Sequence, residues 1–136
     1  MYLKKWKGYR TPRPYLEFYK NRYTLERMIG DTNIDEETTK YLNAAYVSGK
    51  VIDSVKSKIT EIMPPAIKEK CPYCMLSEPG TFDHYLGKGK FPEYSVLSKN
   101  LVPCCSKCNS KKGEKFLSGN GNRAFISFYF DKLPQR

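Results

Sequence analysis

The chain has 136 residues, with 24 Lys+Arg against 14 Asp+Glu, five Cys and one His. That length suits one domain, or a small domain with an appendage. No run approaches the roughly 18 apolar residues of a membrane span, and the Met1–Lys7 start lacks the apolar core of a secretory signal, so the expected compartment is the cytoplasm. One histidine rules out a multi-histidine metal cluster and a histidine pair acting as separate acid and base.

The net charge of +10 attracts polyanions, of which DNA and RNA are the commonest. The first 29 residues alone carry eight basic and two acidic residues. Residues 1–14 mix Tyr2, Trp6 and Tyr9 with Lys4, Lys5, Lys7, Arg10 and Arg13, and Pro12 and Pro14 interrupt any helix there. This basic aromatic arm could stack on bases or pack on a protein surface.

Residues 15–70 read as a helical region. Tyr15, Leu16, Phe18, Tyr19, Tyr23, Leu25, Met28 and Ile29 recur at helical spacing up to Gly30. Asn33 with Glu36 resembles a capping box for a second helix. From there a stripe of Tyr41, Leu42, Ala45, Val47, Val51, Val55, Ile59 and Ile62 predicts buried core. Gly49 is expected to divide it and Pro64-Pro65 to stop it. The expectation is a helical hairpin or small bundle.

Cys71, Cys74, Cys105 and Cys108 form two C-x-x-C pairs, and Cys104 is left over. In a cytosolic chain this layout points to a metal before a disulfide. Each pair can wrap one ion from a tight turn, and four thiolates complete a tetrahedron about zinc. Cys71-Pro72-Tyr73-Cys74 is also the glutaredoxin active-site string. That redox reading needs an apolar strand before it and a helix after it. Residues 64–70 make a poor buried strand, and Glu78, Pro79 and Gly80 would break the helix.

Residues 75–103 predict a β-hairpin, with strands around Phe82 and around Tyr94–Leu97 and a loop over Gly87–Pro92. A helix is expected over about residues 105–116, and a strand over Ala124–Phe130 in a C-terminal extension of residues 117–136.

Between and after the cysteine pairs stand Asp83-His84-Tyr85, then Asn100-Leu101-Val102-Pro103, then Cys105-x-x-Cys108-Asn109-x-x-Lys112-Gly113. This string resembles the HNH endonuclease family over residues 71–113, as an H-N-N variant in which Asn109 fills a position that is His in many members. The chain is also similar to small bacterial HNH proteins of phage-defence loci, some of which work beside an ATPase. The resemblance implies a zinc-stapled ββα-metal (treble-clef) module over residues 71–116, which with the helices read from the apolar spacing makes the expected chain α+β. It implies His84 as general base and Asp83 and Asn109 as ligands of a catalytic Mg2+ or Mn2+. It further implies Asn100 as the brace of His84 and Lys112 as a phosphate contact.

These roles suit the residue types. A neutral imidazole can take a proton from water, and a hard ion prefers carboxylate and amide oxygens. Lys88, Lys90, Lys111 and Lys112 are the candidate nucleic-acid contacts. Partners expected on this reading are DNA or RNA, with an ATPase or a second copy docking on the N-terminal helices. The alternative is a non-catalytic zinc module binding nucleic acid or protein. Adjacent strand residues point to opposite faces, so Asp83 and His84 share a site only if the strand bends or ends there.

Overall fold

The computed structural model describes residues 34–129 and 131. The arm, the first expected helix and Asn33 lie outside them, as does Phe130. The chain divides into two units, and Ile34–Phe116 is the one that carries the named elements. It is α+β, with helices and a two-stranded antiparallel sheet.

Helix α1 spans Glu36–Ser48. Its cap is Asp35, two residues beyond the expected Asn33. The Asp35 carboxylate accepts from the Thr38 amide and the Thr38 hydroxyl, each at 2.8 Å. Those bonds hold its carboxyl below the usual range. Helix α2 spans Lys50–Ile62 and buries Ile52, Val55 and Ile59 along one face. Gly49 separates the two helices. A Cβ there would sit 2.7 Å from the Ala45 carbonyl oxygen, so only glycine allows this close turn. The apolar stripe expected to run through both helices is broken at this point: Tyr41, Val47 and Val51 are exposed. Met63 is extended ahead of Pro64, as a residue before proline prefers, and Pro65 opens a single turn, α3, over Pro65–Lys68.

Strand β1 is Thr81–His84 and strand β2 is Leu101–Cys104, paired so that Asp83 faces Val102 and His84 faces Leu101. The strand expected around Tyr94–Leu97 does not form. Pro92–Tyr94 is a 3-10 turn, and the amides of Tyr94, Ser95 and Leu97 bond three residues back to Phe91, Pro92 and Tyr94. Tyr85, Leu86, Phe91 and Tyr94 are buried in this excursion. Phe91 packs edge-on against Phe116 at 5.5 Å. The chain then passes through a second 3-10 turn, Ser98–Asn100, into β2.

Helix α4 is Ser106–Lys112. It stops short of the expected residue 116 because Gly113 takes φ +53°, a conformation that ends the helix. The order β1, β2, α4 sets the cysteine pairs, His84 and Asn109 on one framework.

In the other unit, the expected strand Ala124–Phe130 is absent from the described residues. A single bridge joins Leu117 to Arg123. Asp131 holds this segment, accepting both guanidinium nitrogens of Arg123 at 2.8 and 3.1 Å and the Ser127 amide at 2.7 Å. Among the described residues no helix is long and apolar enough to cross a membrane.

Candidate functional site

The ligand atoms of Cys71, Cys74, Cys105 and Cys108 all lie within 4.8 Å of one another. A zinc ion with Zn–S bonds of about 2.3 Å sets its sulfurs at tetrahedral edges of about 3.8 Å. The Cys74 and Cys105 sulfurs are 4.0 Å apart, so the cluster fits the ion with little movement. Two turns build it. The Met75 amide donates to the Cys71 carbonyl at 2.7 Å, and Met75 takes φ +57° to swing the chain round. Cys105 caps α4, its sulfur accepting from the Cys108 amide at 3.4 Å.

Backbone amides of Ser77 and Leu76 pull the Cys74 thiol down to about 6, and the Cys108 amide lowers Cys105. Hydrogen bonding to Cys105 pushes Cys108 up to about 12, because crowded thiolates repel unless a cation joins them. Cys104 is fully buried, outside the cluster, beside Thr81, and burial pushes it up to about 11.

A cavity of about 300 Å³ lies near this cluster, and Asp83, His84, Lys88 and Asn109 line it together with Tyr46, Phe82 and Glu114. Asp83 and His84 share it because β1 ends at His84. His84 is held from two sides. Its Nε2 lies 2.9 Å from the Ser95 carbonyl oxygen, and the Tyr46 ring meets it edge-on at 4.4 Å. A carbonyl only accepts, so Nε2 carries the proton and Nδ1 keeps its lone pair. Burial, with the nearby Lys88 and Lys112 charges, brings the imidazole down to about 4 despite the Ser95 bond, so it is neutral at pH 7. Ser95 is in turn tied to α1, its hydroxyl donating to the Leu42 carbonyl at 3.0 Å.

Asn100 is fully buried. Its Oδ1 accepts from the Leu86 amide at 2.8 Å, and its Nδ2 donates to the carbonyls of Leu86 and Tyr94 at 3.0 and 3.1 Å. It therefore pins both ends of the segment between His84 and Ser95. Asn109 Nδ2 donates to Thr81 Oγ1 at 3.1 Å and to the Phe82 carbonyl at 3.3 Å. Its Oδ1 has no hydrogen bond among the described residues.

Lys112, expected to contact phosphate, is 3% exposed, and its ammonium donates to Asp83 Oδ1 at 3.1 Å and to the carbonyls of His84 and Tyr85 at 2.8 and 3.2 Å. Asp83 also accepts from the Tyr73 hydroxyl at 2.6 Å, and burial raises its carboxyl while Lys112 and Tyr73 oppose the rise. Asp83 is thus a neutralised carboxylate with part of its acceptor capacity left. Its carboxylate and the Asn109 amide oxygen, both from residues lining the cavity, are oxygen donors of the kind a hard ion takes.

Among the candidate nucleic-acid contacts, Lys88 lies at the cavity, and Lys90 and Lys111 are exposed. The sequence reading missed Tyr46, Ser95 and Glu114. Glu114 Oε1 accepts from the Gly89 amide at 3.1 Å. A Cβ at Gly87 or Gly89 would fall 2.6 or 2.9 Å from the Glu114 carboxylate, so a side chain at either position would push Glu114 aside.

With this geometry in hand, the chain can be set beside known proteins. It is 41% identical to Protein ea31 of Escherichia phage lambda over 66 residues, 47% of this chain and 22% of that protein. It is 41% identical to Septu protein PtuB of Bacillus thuringiensis over 49 residues, 32% of this chain and 19% of that protein. The chain thus spans about a fifth of the length of the curated relatives it matches. No family model and no solved structure matches it.

Proposed function

We propose that the chain is an HNH-type endonuclease that hydrolyses DNA phosphodiester bonds around a structural zinc. One observation carries this reading: His84, fixed through Nε2 by the Ser95 carbonyl and so keeping the Nδ1 lone pair, lines one cavity with Asp83 and Asn109. In the reaction, Nδ1 takes a proton from water and the hydroxide attacks phosphorus. The bond to the 3′ oxygen breaks, leaving a 5′ phosphate and a 3′ hydroxyl. An imidazole down near 4 is a weak base, and an anionic phosphate beside it raises its affinity for the proton as substrate binds.

Asn100 keeps Ser95 and His84 in register. Asp83 and Asn109 would hold Mg2+ or Mn2+ together with substrate oxygens. Such an ion supplies Lewis-acid stabilisation of the leaving oxygen. The zinc would fix the start of α4 against the β1–β2 pair, and so Asn109 against Asp83 and His84.

A place in bacterial phage defence belongs to this proposal, in line with the resemblance to HNH proteins of phage-defence loci and the partial similarity to PtuB; so do a cytoplasmic location, a partner ATPase or a second copy, and RNA as an alternative substrate. A second reading, a non-catalytic zinc module, is favoured by the Asp83–Lys112 pair, which occupies the carboxylate an ion would need. Plasmid cleavage by the zinc-loaded protein with added magnesium or manganese separates the two readings.

A further inference from the structure

The family resemblance covers nothing before residue 71, yet Tyr46 of α1 lines the cavity and α2 brings Lys56 to that ring. The Lys56 ammonium from α2 lies 4.5 Å from the centre of the Tyr46 ring and 5.8 Å from that of Phe82. The Lys88 ammonium, from the loop after β1, lies 4.9 Å from the same Tyr46 ring. The two charges are therefore no more than about 9.4 Å apart. Neither makes an ion pair among the described residues; the lysines that do are Lys40, Lys58 and Lys112.

Two cations with no ion-pair partner among the described residues, both drawn to one aromatic ring, repel each other at a separation no greater than about the Debye length of physiological salt, and an anion near both offsets that repulsion. The ring that gathers them is also the ring against His84. Tyr46 and Phe82 line the same cavity as His84, so an anion held against them faces that cavity.

We infer that Lys56 and Lys88 form a phosphodiester clamp at the His84 cavity, with Tyr46 as the positioning residue that holds both ammoniums. This gives the helices before the first cysteine pair a substrate-binding role. It rests on the phosphodiester reading of the cavity, and the choice of a nucleic acid backbone follows from two fixed cations beside a candidate base.

The test is fluorescence anisotropy of a short labelled DNA duplex with zinc-loaded protein, no added divalent ion, across a range of KCl concentrations. Lys56→Ala and Lys88→Ala should each weaken binding several-fold and reduce the slope of log affinity against log salt by about one, and the double variant by about two. Lys58→Ala, on the same helix but paired with Glu61 at 2.8 Å, should leave the slope unchanged. Unchanged zinc content and melting behaviour show that each variant folds. Slopes equal to wild type for Lys56→Ala and Lys88→Ala, or no binding by wild type, overturn the clamp. Cleavage assays on the same proteins keep the two ideas apart. Wild-type cleavage with unaltered slopes rejects the clamp alone, and altered slopes without any cleavage reject the nuclease alone.

Discussion

The Asp83 carboxylate and the Lys112 ammonium meet at 3.0 Å with 2% of each side chain exposed. The contact joins β1 to α4. Lys112 also satisfies the carbonyls of His84 and Tyr85, so one side chain holds the strand end on which the proposed base sits. Removing one member of a buried pair strands the other charge and costs about 3–5 kcal/mol. Lys112→Ala should therefore lower the zinc-loaded protein's stability by that order in urea denaturation. A change under about 1 kcal/mol would show that Asp83 is not held by this pair.

Zinc should be part of the fold, because the buried cluster that joins the two cysteine pairs is built almost wholly from cysteines, with Tyr73 packed against it. A strong chelator is expected to abolish the near-UV dichroism of the aromatic excursion, and added zinc to restore it. Cys71→Ser and Cys108→Ser should lose tight binding of one zinc per chain. Cys104→Ala should keep the ion, since its sulfur lies outside the cluster beside Thr81. Metal content by mass spectrometry decides this, and loss of zinc from Cys104→Ala would reassign the ligand set.

Asn100→Ala removes three backbone hydrogen bonds and leaves the Leu86 amide buried without a partner. The expected cost is about 2–4 kcal/mol, read from the urea midpoint. The variant should also slow any cleavage beyond its loss of folded fraction, because the Ser95 carbonyl that orients His84 lies in the segment Asn100 holds.

The Asp35 cap offers a milder check. Asp35→Ala should destabilise α1 by about 1 kcal/mol, visible as a lower melting temperature with zinc retained. No effect would mean that the Thr38 amide is satisfied by water instead.

Some of this was legible in the sequence and some was not. Gly49 and Pro64-Pro65 mark the helix ends because their limits are local: a missing Cβ and a missing amide proton. The run around Phe82 reads as a strand for the same local reason. Its partner is hidden, because Leu101–Cys104 contains Pro103 and leads into Cys105, whereas Tyr94–Leu97 looks more strand-like and is drawn into 3-10 turns by Pro92. The metal cluster shows in the spacing of its cysteines. The inward turn of Lys112 does not, because a lysine one helical turn after Asn109 reads as a solvated or phosphate-facing charge until Asp83 is seen beneath it. Ser95 acts through its backbone carbonyl and leaves no side-chain signal. Tyr46 and Lys56 belong to helices whose pattern speaks only of core and surface, so only their placement beside His84 gives them a role.

The central claim is that His84 activates water for phosphodiester hydrolysis. Supercoiled plasmid should be nicked or linearised by zinc-loaded wild-type protein with added magnesium or manganese. His84→Ala, with zinc content and melting temperature checked, should cut at least about 100-fold more slowly, the lower range of general-base catalysis. Equal cutting by His84→Ala and wild type, or no cutting by wild type with either ion, would contradict the account.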